Sequence, residues 1–169
     1  MLSITHILVT LLLIQLMSLD RNNAFVALLF GVFIDVDHLF GLVKYTELNG
    51  VASILDFHTL MNPGGQWKSM LHNPIAAAVV VPISAAFTLA VPLIFWGAHL
   101  LMDYVEQAFL GNFSAVEAWI IFLAGLGLVT LRYRWHIMTV NPRLSFGEYL
   151  RREVSTLRSL FRAKPRAEF

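Results

Sequence analysis

The side chains in this sequence best suited to metal or acid–base chemistry are His6, Asp35, Asp37, His38, His72, His99 and Asp103. Two of their spacings matter. Asp35 and His38 are three residues apart, so on a helix they share a face while Asp37 points elsewhere. His99 and Asp103, in Ala-His-Leu-Leu-Met-Asp, are four apart; an imidazole and a carboxylate one turn apart can reach one ion from a single helix. The chain has no cysteine, which excludes disulfides, iron–sulfur clusters and thiolate zinc sites. A mixed His and Asp set suits Zn²⁺, Mn²⁺ or Fe and suits Ca²⁺ poorly. Each piece alone has a plainer reading. A His–Asp pair at four residues is a common helix-surface pair, and a lone His near a helix end, such as His6, is more often interfacial or hydrogen-bonded. The triplet Asp35, Asp37, His38 is harder to reduce, because two carboxylates at the end of an apolar run need partners or water.

The elements that must position these residues read as membrane helices. Hydrophobic residues make up 57% of the chain and charged ones 14%, against about 45–50% and about 25% in soluble domains. The excess sits in runs: Leu2–Leu19, Ala24–Val43, Pro74 to about Phe109, and Ser114–Leu131. The first lacks a basic leader region and a small-residue cleavage motif, so it is expected to be a retained helix. Pro63-Gly64-Gly65 breaks the polar loop before His72. Were Pro74–Phe109 one helix, His72 and His99 would lie roughly 40 Å apart, farther than a hydrocarbon core of about 30 Å. Two helices with a turn near Leu89–Pro92 return His99 and Asp103 to His72, and Pro92 suits the first turn of the second. Isolated ionisable groups at membrane depth are costly unless paired, which favours the two-helix reading. The expected fold is therefore all-α: a polytopic bundle of about five membrane helices within residues 1–135, followed by a cytoplasmic basic tail over residues 136–169.

Charge supports that division. Residues 1–131 carry three basic and eight acidic residues, a net of −5, whereas residues 132–169 carry nine and three, a net of +6. Basic residues beside a membrane segment favour the cytoplasmic side. With five helices this places the N-terminus and the His/Asp groups toward the external face of a cell membrane. Within the tail, Leu150, Val154, Leu157 and Phe161 repeat on one helical face, and Arg151, Arg152, Arg158 and Arg162 surround it. Such a helix suits the anionic lipid of the cytoplasmic leaflet; a solvated or packing helix is the plainer alternative. His136 and Asn141-Pro142 are expected at the surface. Nucleic-acid binding has little support, because the basic residues flank a membrane segment and form no recognition motif.

The motifs Thr5-His6, Ile34-Asp35-Val36-Asp37-His38, Trp67-Lys68-Ser69-Met70-Leu71-His72-Asn73 and His99-Leu100-Leu101-Met102-Asp103 together resemble those of the prokaryotic membrane-bound metal-dependent hydrolases. Members of that family carry an early T/G-H, then P-D-x-D-H, H-R-x-x-T-H-S and H-x-x-x-D; the match here runs from residue 5 to about 105. That family is distantly similar to the zinc-dependent phospholipases C. The resemblance implies one or two ions held by His6, Asp35, Asp37, His38, His72, His99 and Asp103. Asp37 would bridge ions or orient a ligand imidazole, and Lys68 would contact phosphate. Apart from the resemblance, Glu106, one turn beyond Asp103, is a candidate proton carrier. The implied reaction is hydrolysis by metal-activated water at a phosphoryl or acyl centre, and a site at the outer interface makes a phosphoester in a membrane lipid or lipid-linked molecule the expected substrate. The chain departs from the pattern at Ile34 for Pro, Trp67 for His, Lys68 for Arg, Leu71 for Thr and Asn73 for Ser. The loss of a His at position 67 removes one ligand or acid–base group, for which His58 is a candidate substitute. Two other classes stay open: a non-catalytic membrane protein with a structural metal site, and an ion or proton pathway.

Overall fold

A computed structural model describes residues 3–37, 46–47, 50–51, 70–110 and 114–161. Among them the protein is all-helical, with six α-helices and no strand. The chain divides into two compact units, Met1–Leu128 and Val129–Phe169.

In the first unit, α1 (Ser3–Leu16) is apolar along nearly its whole length. It ends where Ser18 turns left-handed (φ 50°) and the Leu19 N–H bonds back to the Ile14 carbonyl at 3.2 Å. Asp20 then caps α2 (Arg21–Gly31): its carboxylate accepts the backbone N–H groups of Asn22 and Asn23, each at 2.9 Å, satisfying donors that the first turn leaves unpaired. These bonds hold the Asp20 carboxyl below the usual carboxylate range. The apolar run Ala24–Val43 does not form one helix. The α-helix stops at Gly31, Val32 leaves helical geometry, and the chain tightens into a 3-10 turn, Phe33–Asp37. That early stop turns Asp35 back toward α1.

Pro74–Phe109 is likewise broken. Two 3-10 turns, Met70–His72 and Pro74–Ala76, lead into α3 (Ala77–Ser84). The chain reverses through Leu89 (φ 59°) and Ala90 (φ 49°), both left-handed, and enters α4 (Val91–Val105) with Pro92 in its first turn. The expected turn near Leu89–Pro92 is present, although the first leg holds only an eight-residue α-helix instead of a full span. A π-helical turn, Glu106–Leu110, follows α4. Two small clusters hold the unit together. Val26, Ala27, Val91 and Phe95 join α2 to α4, while Ile34, Ala76, Val80 and Trp96 join the 3-10 turn, α3 and α4.

The last long helix, α5 (Ala115–Thr139), is the only one among the described residues long and apolar enough to cross a membrane, and just 11% of its most apolar window is buried. Helices α1, α2 and α4 have 14, 11 and 15 residues, short of the about 17–25 that a full span takes.

In the second unit, the end of α5 meets α6 (Phe146–Phe161) through the turn at Asn141. Ser145 and Glu148 form a capping box, Glu148 N–H to Ser145 Oγ at 3.3 Å and Ser145 N–H to Glu148 Oε2 at 3.1 Å. The buried Leu144 and Tyr149 flank this box at the positions of a hydrophobic staple. Tyr133 donates to the Leu144 carbonyl at 2.9 Å, and its ring lies tilted against that of Tyr149, with centroids 5.5 Å apart. His136, expected at the surface, is half-buried with its ring 5.7 Å from that of Tyr149.

Candidate metal centre

Five of the predicted residues converge: His6 from α1, Asp35 from the turn after α2, His72 from the turn before α3, and His99 and Asp103 from α4. The ligand atoms of His6, Asp35 and His99, and those of His72, His99 and Asp103, lie within 4.8 Å of one another in two groups that share His99. His99 Nε2 is 3.2 Å from Asp35 Oδ1 and 3.4 Å from Asp103 Oδ2, and 3.0 Å from His72 Nε2. His72 Nε2 is itself 3.3 Å from Asp35 Oδ1 and 3.6 Å from Asp103 Oδ2. His6 places Nε2 3.2 Å from Asp103 Oδ1 and Nδ1 3.6 Å from Asp35 Oδ2, with its ring stacked on that of His99 at 4.1 Å.

Local structure orients each group. His99 Nδ1 lies 3.1 Å from the Gly31 carbonyl; a carbonyl only accepts, so Nδ1 carries a proton and Nε2 is the nitrogen turned toward the carboxylates. An imidazole fixed from behind by a backbone carbonyl is the usual arrangement of a metal ligand. The His72 turn is held to α4 by the Trp96 indole, which donates to the Leu71 carbonyl at 2.9 Å. Thr10 also donates to the Gly31 carbonyl, at 3.3 Å, and so ties α1 to the end of α2.

The donor set fits a cation. Two carboxylates gathered with the inward ring nitrogens call for positive charge among them, which a cation held by either group of three supplies. Bonds of about 2.0–2.1 Å to Zn²⁺ separate neighbouring ligand atoms by about 2.9–3.4 Å, close to most of the distances above. His6 adds a second sign: it is buried, and neither ring nitrogen has a hydrogen-bond partner among the described residues.

The remaining predicted residues are placed less closely. Asp37 ends the 3-10 turn, and its side chain lies outside the described residues. His38, His58, Trp67 and Lys68 also lie outside them. Glu106 opens the π-helical turn beyond α4 and belongs to neither converging group. The sequence reading missed Glu117, which is buried in the first turn of α5 and accepts a 2.8 Å hydrogen bond from Thr5 Oγ1. The signal was present: a carboxylate inside an apolar run is costly without a role. The positioning parts Gly31, Trp96 and Thr10 gave no such signal, because their role depends on long-range packing. No protein-family model, curated protein or solved structure matches the chain.

Proposed function

We propose that the protein is a membrane-embedded metal-dependent hydrolase acting on a phosphoester in a lipid or lipid-linked substrate. The observation that carries this reading is the convergence of His6, Asp35, His72, His99 and Asp103 in two ligand groups that share His99. These five residues would hold one or two ions, Zn²⁺ or alternatively Mn²⁺ or Fe, with Zn²⁺ ahead of Mn²⁺ and Fe²⁺ in the general affinity order of divalent ions. Once bound, such an ion supplies Lewis acidity toward a phosphoryl oxygen and acidifies water. The chain's own part is to fix the imidazoles, as Gly31 does for His99, and to gather two carboxylates whose negative charge selects a cation. The motif order from Thr5-His6 to His99-x-x-x-Asp103 supports membership of the membrane-bound metal-dependent hydrolases.

A membrane setting is supported by α5 and by the number of large apolar side chains left exposed, among them Phe25, Ile75, Val79, Leu101, Phe109 and Trp119. An apolar surface of this extent is characteristic of contact with lipid or a partner. On this reading several helices enter the bilayer in addition to α5. The basic residues after Leu131 favour a cytoplasmic C-terminal segment. On this reading α6 meets anionic lipid through the exposed Leu150, Val154 and Leu157, flanked by Arg151 and Arg158.

A second reading has one specific observation in its favour: the five ligands come from four separate elements, so an ion there would clamp the fold without any catalysis. Metal analysis of the purified protein and a panel of lipid phosphoesters separate the outcomes. The hydrolase reading expects one or two ions per chain, their loss in Asp35→Ala and His99→Ala, and chelator-sensitive hydrolysis. Metal retained in both variants sinks the site. Metal bound tightly with no hydrolysis across the panel leaves the structural role.

A further inference from the structure

The three histidines of the centre are oriented by different means, and His6 meets only other members of the centre, Asp35, Asp103 and His99, among the contacts of the described residues. His99 is fixed by the Gly31 carbonyl, and the turn carrying His72 by Trp96. Both ring nitrogens of His6 instead face carboxylates, at 3.6 and 3.2 Å, with no hydrogen-bond partner among the described residues. Its direction therefore depends on how α1 is set, both along its axis and about it. Thr10 restrains α1 against α2 from four residues away.

Beside His6 in the chain, Thr5 is 0% exposed and donates to Glu117 Oε1 at 2.8 Å; Glu117 is 2% exposed. Ser114 Oγ accepts the Glu117 N–H at 3.1 Å, which fixes the start of α5 from which Glu117 projects. Farther along, the Leu12 side chain lies 3.2 Å from where a Cβ on Gly127 would stand, so α5 lies close to α1 there as well. Packing alone would be served by an apolar pair at Thr5 and Glu117. A buried polar pair is directional, and its best-attested use is to fix the register of one helix against another. We infer that Glu117 is a positioning residue for the metal centre: through Thr5 it sets the register of α1 and thereby aims His6 at Asp35 and Asp103.

This inference rests on the reading of the five-residue cluster as a metal site, and the test keeps the two apart. Zn²⁺ affinity of the full chain in detergent is measured by competition with a chromophoric chelator, alongside apo-protein melting. Glu117→Met keeps the volume and removes the acceptor, and should weaken Zn²⁺ binding about tenfold, as loss of an outer partner does. Glu117→Gln and Thr5→Ser keep acceptor and donor, and should stay within about twofold of wild type. In a His6→Ala background, Glu117→Met should change affinity by less than about twofold, because the residue it aims is gone. Equal losses in both backgrounds, or a Glu117→Met variant that melts lower but binds Zn²⁺ as wild type does, overturn the inference and leave the metal site standing. If Glu117→Met fails to fold, Thr5→Ala takes its place in the same cycle. Wild-type protein that binds no Zn²⁺ removes the site and the inference together.

Discussion

Gly31 does two things at one position. Its carbonyl holds His99 Nδ1 and Thr10 Oγ1, and its missing side chain lets α1 and α4 close on the end of α2. A Cβ there would stand 2.6 Å from Thr10 Oγ1, 3.0 Å from Thr10 Cγ2 and 3.4 Å from Phe95 Cδ1. Gly31→Ala should therefore cost about 1–3 kcal/mol by overpacking and also weaken Zn²⁺ binding, since the displaced carbonyl no longer fixes His99. Calorimetry and metal titration of the same preparation check both; a variant that loses stability but keeps full affinity removes the orienting role from Gly31. At this scale the sequence was informative where chemistry is local. The four-residue spacing of His99 and Asp103 placed imidazole and carboxylate one turn apart, and they meet at 3.4 Å. That His6 would stack on His99 at 4.1 Å was not legible, since no local pattern relates residues 93 positions apart.

Between α3 and α4, Leu89 and Ala90 hold left-handed conformations, which cost an L-residue roughly 1–2 kcal/mol each. Leu89 is 61% exposed, so Leu89→Gly gives up little burial and should raise the thermal midpoint; an unchanged or lower midpoint would show that the turn is not strained there. Pro92 made this reversal predictable, whereas the stop of α2 at Gly31 was hidden in a continuous apolar run that reads equally well as one long helix. At the start of α6, the Ser145 N–H and hydroxyl hold the Glu148 carboxyl below the usual carboxylate range. A lowered folded-state pKa means the cap's contribution is fully present above about pH 4.3, the ordinary Glu value, and is lost as pH falls through the lowered one. Amide exchange in the first turn of α6, corrected for the intrinsic pH dependence, should show protection falling below about pH 4 in wild type and far less change in Glu148→Gln. The Ser-x-x-Glu spacing is a readable sequence signal; the burial of Leu144 and Tyr149 on either side of it became visible only in the structure.

For the molecule as a whole, an ion bound by ligands from four elements stabilises only the folded chain. At a free Zn²⁺ concentration of about 100 times the dissociation constant the gain is about 2.7 kcal/mol, or about 5–10 °C for a chain of this length. Chelation should reverse that shift, and His99→Ala should abolish it; a midpoint indifferent to Zn²⁺ and chelator would remove the ion from the fold's stability. The sequence by itself determined the helical class, the absence of thiolate ligands, the charge asymmetry and a set of seven candidate ligands that includes the five that meet, because composition, periodicity and donor chemistry are local properties of the chain. The tertiary structure alone decided that the second apolar run breaks at Gly31, that His6 stacks on His99, and that Glu117 is buried against Thr5. Those outcomes depend on packing between residues far apart in sequence, where a left-handed turn or one close glycine contact determines which side chains come within bonding distance.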